Sequence, residues 1–242
     1  MGNENVFVGL PDECVAHVIS FTTPADACRL TAVCKTLNSI ADSDAVWDRF
    51  LPSDHLSILS TSPTSIPSSP SKKALYMALS HRPIIIDHGR KSFQLERMSG
   101  KKCYMLSARD LTIIWGPNPE YWEWKNLPDS RFEEVAELLA VCWLEIHGMI
   151  ESHKLSSNTE YGAYLVFKMR EGNQSGFSVR GLVVKNAEER RDGWLEIEMG
   201  RLFVSAHQLQ QLHMTLKEVE RLHWKRGLIV QGIELRPSNI TI

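Results

Sequence analysis

Between residues 10 and 55 the apolar positions recur at helical spacing. Cys14 and Val18, and Val15 and Ile19, stand four apart behind Pro11 and predict one apolar face of a first helix. Pro11 suits a first helical position, and Asp12 and Glu13 favour the opening turn. Thr23-Pro24-Ala25-Asp26 has the form of a helix restart closed by a capping box. Leu30, Val33, Cys34 and Leu37 repeat at i, i+3, i+4 and i+7 and predict one stripe of the next helix. Trp47, Phe50 and Leu51 form a last short stripe. A helical unit of roughly forty residues buries too little surface to be comfortable alone. It is expected to dock, either on the rest of its own chain or on another protein.

Past residue 83 the period changes to two. The segments 83–87, 92–96, 111–115 and 121–125 are rich in β-branched and aromatic residues and read as strands. In "WLEIHGMIE" (143–151), Leu144, Ile146 and Ile150 share one face. Residues 161–169, 177–184, 194–200 and 227–237 continue the pattern, and 133–141 fits either a helix or a strand. Many short strands separated by turns predict an antiparallel sandwich. The expected class is therefore α+β, with an all-α unit at 1–55 and a β-sandwich at 83–242. The stretch between them, "STSPTSIPSSPS" (60–71), cannot repay its ordering entropy and reads as a spacer, with Ser62-Pro63 and Ser69-Pro70 open to phosphorylation. Residues 72–82 form one short helix ended by Pro83.

Composition narrows the function classes. The formal net charge is −2, which gives no basic surplus for nucleic acid. No apolar run approaches the ~20 residues that span a bilayer, and the N-terminus lacks the form of a signal peptide. The expected location is the cytosol, with access to the nucleus, where the sequons at Asn173 and Asn239 carry no meaning. The five cysteines are expected as free thiols. Cys14 and His17 stand three apart, as two metal ligands could, but no other half of a zinc site is apparent. No metal or cofactor is expected.

The aromatic residues are the informative feature. Trp115, Tyr121, Trp122 and Trp124 fall within ten residues, and alternation puts Trp122 and Trp124 on one strand face. Indole rings at a loop edge form a natural platform for sugar rings, whereas the bland reading is burial. Trp143, Trp194 and Trp224 are assigned to the core. Glu196 and Glu198 share a face at a spacing of about 6.6 Å, near that of a glycosidase pair. A solvated strand face gives the same spacing and is preferred. No nucleophile motif or phosphate-binding loop accompanies them, and no enzymatic activity is expected.

The order of features in the first zone resembles an F-box: Leu10-Pro11, an apolar first helix, "TTPAD", "LTAVCK" and "VW" near the end. The resemblance implies binding to the Skp-type adaptor of a cullin-based ubiquitin ligase. Leu10, Pro11, Val15, Ile19, Val33 and Trp47 would divide between the motif's core and the adaptor contact. The C-terminal blocks "KKCYMLSARDLTIIWGPNPEYWEWK", "AVCWLEIHG", "YLVFKM", "RRDGWLEIEMG" and "GLIVQGIELRPSN" resemble the phloem-lectin, or Nictaba-type, domain of plants. Together the two halves are similar to the phloem-protein-two B group of F-box proteins. That resemblance implies a lectin-like, jelly-roll type sandwich that binds N-acetylglucosamine oligomers or N-glycans. Its sugar contacts carry over to Trp115, Trp122 and Glu218, with Gln211 where the family has an acid and Glu220 as an alternative partner. An amide loses the charge-assisted strength of a carboxylate. Two readings of the sandwich therefore stay open, a glycan-marked target or a bare protein surface.

Overall fold

The computed structural model describes residues 9–63, 71–170, 187–207, 209–219 and 223–238. The chain divides into two compact units, Met1–Ile84 with Gln94–Lys102, and Ile85–Phe93 with Cys103–Ile242. Helices followed by an antiparallel β unit make the fold α+β, as the periodicities predict. The predicted strand at 177–184 and the Ser69-Pro70 site lie outside the described residues.

The first unit holds α1 (Asp12–Ile19), α2 (Pro24–Leu30), α3 (Lys35–Ala41), α4 (Asp44–Phe50), α5 (His55–Ser60) and α6 (Lys72–His81). Thr23 caps α2 as the capping-box reading requires, its hydroxyl accepting from the Asp26 N–H. The stripe from Leu30 to Leu37 does not belong to one helix. The chain turns after Leu30, and Cys34 becomes the N-cap of α3, its Sγ accepting from Leu37 N–H. Leu37 is buried, while Val33 and Cys34 are exposed. The core gathers around Trp47, which has no exposed surface. Its Nε1 donates to Ala41 O at 2.7 Å, and its ring meets Phe50 edge-on at 5.5 Å and Tyr76 of α6 at 5.2 Å. The predicted docking of the small helical unit is thus partly internal. Tyr76 also donates to the carbonyls of Glu96 and Arg97, which ties the 94–102 segment to the same unit.

The second unit is two sheets. The larger runs β1 (Ile84–Ile86), β2 (Lys91–Leu95), β3 (Lys102–Ser107), β12 (Leu228–Pro237), β8 (Thr159–Met169), β10 (Leu195–Val204) and β9 (Glu188–Glu189). β6 (Val135–Leu138) pairs with β12, and β5 (Trp122–Lys125) pairs with β6. Residues 133–141, which fit either element, therefore supply a strand. The smaller sheet is ordered β11 (Gln211–Glu218), β7 (Leu144–Glu151), β4 (Thr112–Ile113). β7 buries Leu144, Ile146 and Ile150, as its alternation predicts. β8 and β12 lie at the centre with both faces covered, which explains their near-continuous apolar runs. On one face a Cβ added to Gly148 of β7 would stand 3.0 Å from Ile233 of β12. A side chain there would require Ile233, Leu111 and Met214 to shift by a few tenths of an ångström. On the other face Met105, Phe132, Val135, Val166, Trp194 and Ile229 cluster.

Candidate functional site

Exposed aromatic and aliphatic side chains occur in both units, and one set in each bears on function. In the helical unit, α1 is apolar on two sides. Val15, Ala16 and Ile19 are buried. Cys14 and Val18, read from the sequence as part of a packed face, are exposed instead, with Leu10 before the helix and Phe21 after it. The Phe21 ring is held edge-on to His17 at 4.8 Å and under Arg49 at 4.9 Å. Val33, 65% exposed, stands in the turn between α2 and α3. The six residues singled out by resemblance therefore separate. Val15, Ile19 and Trp47 are core, whereas Leu10, Pro11 and Val33 face solvent.

In the β unit the small sheet ends in a rim of indoles. Trp115 follows β4 with φ +63° and is 53% exposed. A bulky residue at positive φ is strained, and here the twist turns the ring outward. A tight loop holds it: Gly116 N–H donates to Ile113 O, and Asn118 N–H to Trp115 O, both at 2.9 Å. A Cβ at Gly116 would meet Ile113 O at 2.9 Å, so the turn needs glycine there. Ile114 N–H donates to Glu145 O, Glu145 pairs with Lys217, and Leu144 with Glu218. Trp115, the start of β7 and Glu218 consequently share one end of the sheet. Trp143 precedes β7 and Trp224 adjoins the Val141–Lys225 bridge; both are exposed, against the expectation of burial. Trp194 is buried as expected.

Below the rim, Glu145 is a hub. Its carboxylate accepts from Lys217 Nζ at 2.8 Å and Trp143 Nε1 at 2.9 Å, and lies 2.9 Å from His147 Nε2. His147 Nδ1 is 3.1 Å from the Thr215 hydroxyl. The hydrogen bonds from Lys217 and then Trp143 hold the Glu145 pKa down at about 2. An ionised carboxylate, an ammonium, a hydroxyl and an imidazole beside exposed indoles can orient a polar ligand. This hub was missed, although β7 and β11 both alternate. In β11, Leu212, Met214 and Leu216 against His213, Thr215 and Lys217 carry a period-two signal.

Of the four residues proposed to contact sugar, Trp115 and Glu218 share one end of the small sheet, whereas Trp122 and Gln211 do not join them. Trp122 is 2% exposed, and its Nε1 donates to Ile114 O at 3.2 Å. It floors a hollow of about 520 Å³ behind Pro117 and Pro119 but offers no ring face for stacking. Gln211 and Glu218 occupy opposite ends of β11. Seven steps of strand separate them by roughly 23 Å, and odd spacing puts them on opposite faces. Glu218 instead neighbours Lys225, whose buried Nζ donates to Cys142 O at 2.9 Å. Burial lowers the Lys225 pKa, and the Glu218 charge pushes it back up. Glu220 lies outside the described residues.

Glu196 and Glu198 are not a solvated pair either. Glu196 is buried between Arg190, at 2.5 Å, and Arg236. Burial raises its pKa, but the two guanidiniums outweigh this and hold it below the usual range. Arg201 lowers Glu198 in the same way. A glycosidase acid needs a raised pKa, and neither carboxyl has one. Among the described residues, no three His, Cys, Asp or Glu side chains are grouped to hold a metal ion.

Residues 7–53 match the F-box-like family, and residues 101–237 match the phloem protein 2 family. The chain is 46% identical over 253 residues to putative F-box protein PP2-B12 of Arabidopsis thaliana, covering 97% of this chain and 99% of that protein. It is 41% identical to F-box protein At2g02240 of the same plant, covering 95% and 79%. F-box protein VBF, also from Arabidopsis thaliana, is 34% identical, with 95% and 99% covered.

Proposed function

This chain belongs to the F-box proteins that carry a phloem protein 2 domain, and we propose that it is the substrate-recognition subunit of a Skp–cullin–F-box ubiquitin ligase. The helical unit holds the Skp-type adaptor, and through it the cullin; the β unit holds the target. Ubiquitin transfer belongs to partner enzymes, and the contribution of this chain is effective concentration. The observation that carries the reading is the second apolar side of α1. Leu10, Val18 and Phe21 are each exposed, and the Phe21 ring is pinned by His17 and Arg49 without being buried, as a partner surface requires. Leu10→Asp combined with Val18→Asp should weaken adaptor binding at least tenfold, since each anchor contributes about 1.5–3 kcal/mol when covered. Unchanged affinity in that double variant, measured by calorimetry, would refute the adaptor role. The cytosolic and nuclear location expected from the sequence is part of the same proposal.

Target capture falls to the rim of Trp115, Trp143 and Trp224 above the Glu145 hub. Exposed indoles beside fixed polar groups suit the ring faces and hydroxyls of N-acetylglucosamine-bearing glycans. A second reading, capture of a bare protein surface, is favoured by the burial of Trp122 and by the place of Gln211 at the far end of β11. A glycan array on the intact protein separates the two. Signal lost in Trp115→Ala and kept in Gln211→Ala supports glycan capture at the rim. No signal from the parent protein supports the protein surface.

A further inference from the structure

The Asp87–Gly89 turn belongs to neither surface. Three successive residues have positive φ, +55° at Asp87, +54° at His88 and +86° at Gly89. Glycine adopts this freely, whereas each of the other two costs on the order of 1–3 kcal/mol. His88 is exposed, so burial does not repay it. The turn is held by its neighbours. Lys91 binds Asp87 at 2.7 Å and Asp110 at 3.2 Å, and Ser107 N–H donates to Arg90 O at 2.8 Å.

This strained turn forms one wall of a cavity of about 370 Å³, a size suited to a small molecule. Arg109 and Glu134, which also line it, satisfy each other through two bonds of 2.7 and 2.8 Å. The Arg109 guanidinium also lies 3.7 Å over the Trp124 ring. Two other lining charges are left over. Arg90 spends one N–H on Arg109 O at 2.9 Å and has no carboxylate partner among the described residues. Glu133 is exposed and has no cationic partner among them either. Both line the same cavity without pairing with one another. Ser107, 1% exposed, adds a buried hydroxyl with no hydrogen-bond partner in the cavity wall, a situation that costs about 1–3 kcal/mol unless a partner arrives.

We propose that this cavity binds a small zwitterion of the size of a free α-amino acid, with its carboxylate on Arg90 and its ammonium on Glu133. The two arginines and two glutamates in the wall sum to no net charge, so a simple anion or a simple cation meets as much repulsion as attraction. A molecule carrying both signs meets each at its partner. Guanidinium is the side chain best shaped for a carboxylate, and Phe132 supplies apolar wall for the carbon skeleton.

The test uses the full-length protein, calorimetry and tryptophan fluorescence, which reports through the Arg109–Trp124 stack. Glycine, alanine, phenylalanine, glutamate and arginine are titrated, with acetate and methylammonium as single-charge probes. At least one amino acid should bind saturably, and neither single-charge probe should displace it at tenfold excess. Arg90→Gln and Glu133→Gln should each weaken binding by about 10- to 100-fold, with circular dichroism unchanged. Silence from every amino acid at millimolar concentration would overturn the proposal. So would displacement by acetate alone, or parental affinity in both variants. The titrations on the parent protein decide the matter even if a variant misfolds.

Discussion

Trp47→Ala separates a core residue from a contact residue. Trp47 is fully buried, its Nε1 supplies the hydrogen bond to Ala41 O at the end of α3, and its ring packs on Phe50 and Tyr76. Removing a buried tryptophan costs about 3–5 kcal/mol, including the cavity it leaves. The orphaned Ala41 carbonyl and the two lost aromatic contacts place this case toward the upper end, about 4 kcal/mol or more. Domain stability is only about 5–15 kcal/mol, so the helical unit should sit near its unfolding threshold. With a urea slope of about 2 kcal/mol/M, the midpoint should fall by about 2 M. The assay is urea unfolding followed by hydrogen exchange at the α3 and α4 amides, alongside adaptor affinity. Val33→Ala, at an exposed site, should leave the midpoint within about 0.5 kcal/mol while still weakening adaptor binding. If Trp47→Ala kept its midpoint and lost the adaptor, the indole would be a contact residue and the burial argument would be wrong.

Trp122→Ala should likewise destabilise the β unit by about 3–5 kcal/mol, whereas Trp115→Ala should leave its melting temperature nearly unchanged; equal melting shifts in the two would contradict their different burial. The Glu145 carboxyl is depressed from 4.5 to about 2 in the folded state, so its stabilisation is fully present above pH 4.5 and is lost as pH falls toward 2. Lys217→Met removes the largest cause and should move the titration of Glu145, read by carboxyl NMR and by Trp143 emission, back toward 4.5; no movement would discard the hub. Gly232→Ala should cost about 3 kcal/mol or more, because its Cβ would stand 2.0 Å from Leu106 O, and a melting curve like the parent's would show that β3 yields there.

What could be read in the sequence was whatever a local partner decides. Thr23 and Asp26 cap each other three residues apart, and β7 buries every second residue up to Ile150. β8 and β12 showed themselves as continuous apolar runs because sheets or loops cover both faces. The failures share a different property. Alternation put Trp122 and Trp124 on one face but could not say that this face is covered. Helical spacing found Cys14 and Val18 but could not say that their side of α1 stays wet. Glu196 read as solvated because Arg236 is 40 residues away, and the Arg190–Glu234 pair spans 44.

The same property explains why the functional surfaces were harder to find than the fold. A residue whose neighbours lie in its own helix or hairpin announces its role through periodicity. A rim residue such as Trp143 or Trp224 has the composition of core but stands just outside the strand or bridge beside it, where it reaches the surface. Exposure of a costly side chain is therefore the signal that periodicity lacks. Among the large apolar side chains that this signal marks, Leu10, Val18, Phe21 and Val33 lie on or beside the first helices of one unit, and Trp115, Trp143 and Trp224 are the exposed indoles of the other. Burial in the monomer would recover the hydrophobic free energy of each of these groups, and only a partner that covers them recovers it otherwise. A scan of these seven positions to Ser should therefore lower binding at the first four for the adaptor and at the last three for the target, with melting temperatures held. Loss of stability at most of them would mean that they belong to the fold and that neither surface is a site.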